Sequence, residues 1–166
     1  FYSKFSRWRE SDKRRETWSE CNARVFDWFG TLPAFHKLRG DEVGFLREMM
    51  FDFKASPAMR VVQMAGPALE RCHVGAYNGA AHPIVDLFAF AELLYILMQG
   101  SGNGFSVESD FISRLPRVKK QKKRRKVVQH AIPDNTEGWC DALHFGLKTW
   151  FDGGDVEFDY SLIRKK

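Results

Sequence analysis

The 166-residue chain is poor in cysteine and proline and has no apolar run long enough to cross a bilayer. Its three cysteines, Cys21, Cys72 and Cys140, are an odd number without metal-ligand spacing. That excludes a disulfide framework and a zinc-binding module. No signal peptide is visible, and Phe1 stands where a start Met would; a reducing, cytoplasmic setting and a missing N-terminal piece are therefore expected. The longest apolar run, near Leu87 to Met98, is too short for a membrane span. The nucleotide fingerprints G-x-G-x-x-G and Gly-Lys-Ser/Thr are absent as well. His73, His82, His130 and His144 stand isolated, with no carboxylate or cysteine at ligand spacing, so no metal site is expected.

What is present is a globular composition, 44% hydrophobic and 14% aromatic, in one domain's worth of chain. The net charge of +5 comes from one block: eight of the ten residues from Arg117 to Lys126 are Lys or Arg, and the rest of the chain is slightly acidic. The most distinctive stretch is Gly100-Ser101-Gly102-Asn103-Gly104, glycine at alternate positions after an apolar helix. Each glycine loses more backbone entropy on folding than any other residue, so such a run marks either a tight connection or a place where backbone passes close to a ligand.

The patterning predicts a helix from Ser11, as N-cap, to about Phe29, with Trp18, Cys21, Val25, Trp28 and Phe29 in one stripe. A second helix is expected from roughly Asp41 to Phe53, facing inward through Val43, Leu46, Met49, Met50 and Phe53. Val61 to Ala65 read as a strand, Ala68 to Asn78 as a loop-rich piece, and Asp86 to Met98 as a helix buried on most sides. Phe105 to Val107 form a short strand. Asp134 and Glu137 have capping-box spacing for a helix carrying Trp139, Leu143, Gly146, Leu147 and Trp150 toward the core, and Val156 to Tyr160 alternate as a strand. Cys21 and Cys140 lie on apolar helix faces and read as small buried hydrophobes. Helices alternating with short strands indicate an α/β or α+β arrangement.

Four stretches, in order, carry a family resemblance: Tyr2 to Trp8; Ala55-Ser56-Pro57-Ala58-Met59-Arg60; the glycine segment continuing through Phe105-Ser106-Val107 and Ile112 to Arg117; and Ile132-Pro133-Asp134-Asn135-Thr136-Glu137-Gly138-Trp139. The end of the chain, Phe158 to Arg164, is similar to the strand before one of the same family's effector loops. Together they resemble the N-terminal half of adenosylcobalamin-dependent (class II) ribonucleotide reductases. The resemblance implies a ten-stranded α/β barrel of which this chain holds part of the first half, with an N-terminal helical region over 1–54 and the incomplete barrel over 55–166. It implies reduction of ribonucleotides by a cysteine thiyl radical, generated with adenosylcobalamin, that removes the 3′-hydrogen while two further cysteines reduce C2′. Ser56, Pro57, Ala58 and Met59 would then meet the substrate, with Asn78, Gly100, Gly102 and Gly104 lining its site. Asp110, Arg117 and Lys119 would serve a deoxynucleotide effector. The implied partners are the remainder of the reductase or a complementary split subunit, and a second copy through the helix 86–98.

Two departures bear on the chemistry. The family's redox cysteine falls at Gly79, which has no thiol, and the Asn-Pro-Cys-x-Glu motif of the radical cysteine is absent. The chain is thus expected to be inactive alone, with the cobalamin-binding segments elsewhere. Two competing readings stand beside this one: a non-catalytic binding or assembly module, and, ranked last, a nucleic-acid binder acting through the basic run. That run lacks interleaved aromatic residues to stack on bases and reads first as a solvated loop.

Overall fold

Thr17 and Glu20 set the start of α1 (Trp18–Phe29). The Glu20 amide donates to Thr17 Oγ1 at 3.3 Å, and the Thr17 amide donates to the Glu20 carboxylate at 2.8 Å. This capping box satisfies two donors that the helix leaves open. The expected N-cap at Ser11 is therefore corrected. The chain before the cap forms a short antiparallel pair, β1 (Trp8–Arg9) and β2 (Arg14–Arg15), and Arg14 closes a fork on Glu20 with two contacts of 2.8 Å. The hydrogen bonds from Arg14 and the Thr17 amide hold the Glu20 carboxyl well below the usual carboxylate range.

The computed structural model describes residues 1–121 and 127–165, and compactness divides the chain between Asn78 and Gly79. The boundary expected at 54/55, between a helical region and the start of the barrel, comes from the family resemblance and is a different division from this one. In the first unit α1 is followed by a 3-10 turn (Phe35–Lys37), α2 (Gly40–Phe51), α3 (Met59–Met64), α4 (Pro67–Arg71) and a second 3-10 turn (His73–Ala76). Its core is Cys21, Val25, Phe26 and Trp28 of α1 with Met50, Val62, Ala65 and Leu69. Each such aliphatic side chain, fully buried, contributes roughly 1.5–3 kcal/mol of transfer free energy. Of the inner face expected for α2, Met50 is buried, Val43 packs half-buried against the core and Met49 is half-buried, while Leu46 is 41% exposed. Phe53, 73% exposed and beyond the helix end at φ 59°, stacks on Trp18 at 4.5 Å. The strand expected at Val61 to Ala65 is a helix instead. Val62 and Ala65, three apart, share its buried side, and the Ala58 carbonyl accepts from the Val61 and Val62 amides.

The second unit is two strand–helix–strand segments. β3 (Gly79–Pro83), α5 (Phe88–Met98) and β4 (Gly102–Ser106) form one; after α6 (Ser109–Ile112), β5 (Val127–Ala131), α7 (Thr136–Phe151) and β6 (Asp155–Asp159) form the other. β3 pairs parallel with β4, and β5 with β6, which is why each pair needs a crossing helix. The α/β class expected from the patterning is what the described residues form, as two-stranded parallel sheets with α5 packed on α7. β6 pairs only with β5 among the described residues. The helix expected to be buried on most sides, or to form half of a helix–helix interface, packs on α7 and is only partly covered. Ala89 and Ala91 are its buried residues, while Phe88, Leu97 and Met98 are 49%, 44% and 44% exposed. Trp150, expected in the core, is 39% exposed and meets Phe158 edge-on; Trp139 is half-buried. No helix among the described residues is long and apolar enough to cross a membrane. Of the basic run, residues 122–126 lie outside the described residues.

The N-cap of α7 is Asn135 and not Asp134: Asn135 Oδ1 accepts from the Gly138 amide at 2.6 Å. Asp134 instead receives the guanidinium and the amide of Arg164, at 2.8 and 3.3 Å. This tight first turn explains Gly138. A Cβ there would lie 2.5 Å from the Pro133 carbonyl oxygen and 2.9 Å from the Pro133 ring. Gly138→Ala is expected to lower stability by about 1–3 kcal/mol, because backbone and a rigid ring must move to admit the methyl. Urea denaturation checks it, and an unchanged midpoint would contradict this packing.

Candidate functional site

The glycines of the opening motif divide into two kinds. Gly100 follows α5 at φ 79°, and its amide donates to the Leu97 carbonyl at 2.8 Å. It ends the helix in the left-handed conformation that glycine accepts without strain. Gly102 and Gly104 are not in a loop, as the spacing alone allowed, but in strand β4. Their backbone does not have positive φ, so conformation does not explain them.

Their register does place them. Gly79 pairs with Gly102, Ala81 with Gly104 and Pro83 with Ser106. Successive residues of a strand point to opposite faces, so these pairs share one face of the β3–β4 sheet. That face carries no large side chain. A Cβ built on Gly79 would have the Gly102 carbonyl oxygen as its nearest neighbour at 3.7 Å, and one on Gly104 the Ala80 oxygen at 3.9 Å. Both are ordinary contacts. Within this chain neither glycine is forced by a clash, and the smallness of the face is available to a molecule lying against it.

The opposite face carries Ala80, Asn103, His82 and Phe105. His82 was expected to be isolated, and the fold corrects that: its Nε2 lies 3.1 Å from a carboxylate oxygen of Glu92 on α5. No spacing signal could have found this pair, because its members meet across a strand and the following helix. Both line a cavity of about 430 Å³ with Phe88, Tyr95, Cys140 and Asp141. Burial raises the pKa of the Cys140 thiol, with the carboxylates of Asp141 and Glu137 adding to it, which disfavours the thiolate. Among the described residues no group of three or more His, Cys, Asp or Glu could hold a metal ion.

The remaining expected site residues are placed as follows. Ser56, Ala58 and Met59 are exposed and Pro57 is half-buried in the segment leading into α3, while Asn78 is exposed at the end of the first unit. Asp110 lies exposed on α6, and Arg117 is exposed after it. Lys119 is tied to the end of α7, its amide donating to the Phe151 carbonyl and its ammonium to Asp152, both at 2.7 Å. The ion pair is well exposed and worth little by itself. Gly79, Gly102 and Gly104 are brought together; Asp110, Arg117 and Lys119 follow one another along the chain beyond β4.

No protein-family model and no curated protein matches this sequence. Among solved structures the chain is similar to one described as the crystal structure of B-12 dependent (class II) ribonucleotide reductase, with a TM-score of 0.79 and 20% sequence identity. The likeness covers 98% of this chain and 32% of that one, so the chain spans about a third of the length of its structural relative. The family resemblance drawn from four short stretches is thus matched by backbone geometry over nearly the whole chain, and the fold is that of one part of a class II ribonucleotide reductase.

Proposed function

We propose that this chain is the substrate- and effector-binding part of a cobalamin-dependent ribonucleotide reductase, and that it works with a further polypeptide segment that carries the chemistry. The observation that carries the reading is the small-residue face of the β3–β4 sheet. Gly79, Ala81, Gly102 and Gly104 stand side by side there, with room at Gly79 and Gly104 for a Cβ that this chain does not use, within a fold shared with such an enzyme. Ser56 to Met59 offer a second exposed contact for substrate in the first unit. Adenosylcobalamin, which the family resemblance implies, would generate the thiyl radical from a segment outside this chain. The deoxynucleotide effector would be served by Asp110, Arg117 and Lys119, and a second copy would meet the apolar residues Phe88, Leu97 and Met98 of α5.

Reduction at C2′ takes two electrons from two thiols, which end as a disulfide while the 2′-oxygen leaves as water. At Gly79 one of those thiols is missing. The alternative reading, a binding module that has given up the chemistry, draws its support from that glycine.

Two measurements separate them. Titration of the chain with ribonucleotides and deoxynucleotides is expected to show saturable binding under the first reading, whereas a non-catalytic assembly module is expected to form a stable complex whose affinity ignores nucleotides. Co-expression of the Gly79→Cys variant with a chain carrying Asn-Pro-Cys-x-Glu is expected to give cobalamin-dependent reduction, since a Cβ at Gly79 meets nothing closer than 3.7 Å. A correctly assembled complex that stays inactive would favour the non-catalytic module. Absence of nucleotide binding would end the first reading.

A further inference from the structure

The helix that the Ser56–Met59 segment leads into, α3, is held at its far end by an ion pair that no motif points to. Arg24 of α1 lies against Glu16 in a two-bond fork, Nε to Oε1 at 2.8 Å and an Nη to Oε2 at 3.0 Å, with side chains only 14% and 9% exposed. The rest of the guanidinium is directed at α3. It donates to the Ala65 carbonyl at 3.0 Å and to the Val62 carbonyl at 3.1 Å, and half-buried Arg7 donates to the Gln63 carbonyl between them at 3.4 Å.

α3 has reason to need this. It is six residues long, has no side-chain cap at its start, and a helix of one and a half turns does not hold itself in water. Its last carbonyls have no helical partner, and here arginines supply three of them. At its near end Arg60 Nε donates to the Gly75 carbonyl at 3.1 Å. The helix, and with it the segment that enters it, is therefore positioned by the burial of Val62 and Ala65 together with the guanidinium groups, and only lightly by its own bonds.

We propose that Arg24, oriented by Glu16, is a positioning residue for the Ser56–Met59 substrate contact; the inference rests on the functional reading given above. A buried ion pair is weak evidence for a stabilising role, since apolar residues of like volume often serve stability as well. What a rigid, forked donor supplies and an apolar side chain cannot is a fixed direction for several carbonyls at once.

The test uses Arg24→Lys in the full chain, which keeps a cation beside Glu16 and loses the fork. The Val61, Val62 and Ala65 amides, which donate to Ala58 and Val61 carbonyls, are expected to exchange hydrogen about tenfold faster or more, while amides of α1 stay within about twofold. Ribonucleotide affinity is expected to fall about tenfold, as misplacement of a contact segment does. Arg7→Gln, on the same end of α3, is expected to reproduce the pattern at smaller size and serves as the measure if Arg24→Lys does not fold. Uniform acceleration across the first unit, or local loosening with unchanged nucleotide affinity, overturns the positioning role. If the parent chain binds no ribonucleotide, the functional reading falls instead, and the exchange pattern alone decides whether the arginines hold the segment.

Discussion

Glu16→Ala is expected to lower stability by about 3–5 kcal/mol, the range for removing one partner of a buried ion pair. The substitution deletes both carboxylate contacts of Arg24 and the Glu16 Oε2 that accepts from the Arg7 amide at 3.2 Å. It leaves a guanidinium that is 14% exposed facing three backbone carbonyls, of Phe5, Val62 and Ala65, which accept its protons without balancing its charge. The desolvated cation, more than the lost attraction, sets the size of the effect. Two features separate this from ordinary cavity formation. The double substitution Glu16→Leu with Arg24→Leu is expected to recover a large part of the loss, because no unpaired charge remains. The Ser6 hydroxyl, which donates to the Glu16 carbonyl at 2.7 Å, keeps its partner in every variant, so the backbone at residue 16 stays anchored. Chemical denaturation of the parent, Glu16→Leu, Arg24→Leu and the double variant gives the cycle, with Glu16→Ala measured beside them. A single-variant loss below about 1 kcal/mol, the range of exposed pairs, would show that water reaches this pair in solution.

Neither member of that pair was legible as anything but a surface charge in the sequence, because a long-range ion pair leaves no periodic trace. What was legible depended on local rules. The α1 stripe of Cys21, Val25 and Trp28 has helical spacing, and all three residues are buried. The start of that helix was misplaced although Thr17 and Glu20 satisfy the capping-box pattern as well as any residues in the chain; Ser11 was preferred because the polar stretch before Trp18 offers no contrary signal. Val61 and Val62 favour a strand by their β-branched side chains, and the tertiary setting overrides that preference by giving the carbonyls of a short helix cationic partners. At Asp134 and Asn135 two good caps stand side by side, and the choice went to the residue whose neighbour Gly138 could close on Pro133. The apolar surface of α5 indicates a helix buried on most sides, yet Phe88, Leu97 and Met98 stay exposed, since hydropathy reports how apolar a helix is and not what covers it.

The glycine segment shows the same division, and it carries the second large effect. Its strand, β4, pairs Gly102 and Gly104 with Gly79 and Ala81, a juxtaposition that depends on a parallel register across α5 and cannot be read from spacing. Gly104→Val is expected to leave the fold intact and to stabilise it by about 0.5–1 kcal/mol, since glycine inside a strand is unfavourable by that much relative to a residue with a Cβ. The nearest atom to the new Cβ is the Ala80 oxygen at 3.9 Å, so no clash opposes the gain. Ribonucleotide affinity is expected to fall about tenfold or more in the same variant, because a branched side chain would occupy the surface against which the ligand backbone or sugar lies, and a loss of only about 1.4 kcal/mol has that consequence. The two changes are expected in opposite directions, higher thermal midpoint and weaker binding, which a plain folding defect cannot produce. Gly79→Val, across the sheet at the same face, is expected to behave alike. Phe105→Ala, on the opposite face and 61% exposed, is expected to leave affinity unchanged. Unaltered ribonucleotide affinity in both glycine variants would mean that the bare face of the β3–β4 sheet serves packing against another part of the protein, and the substrate would have to be sought beside Ser56 to Met59 alone.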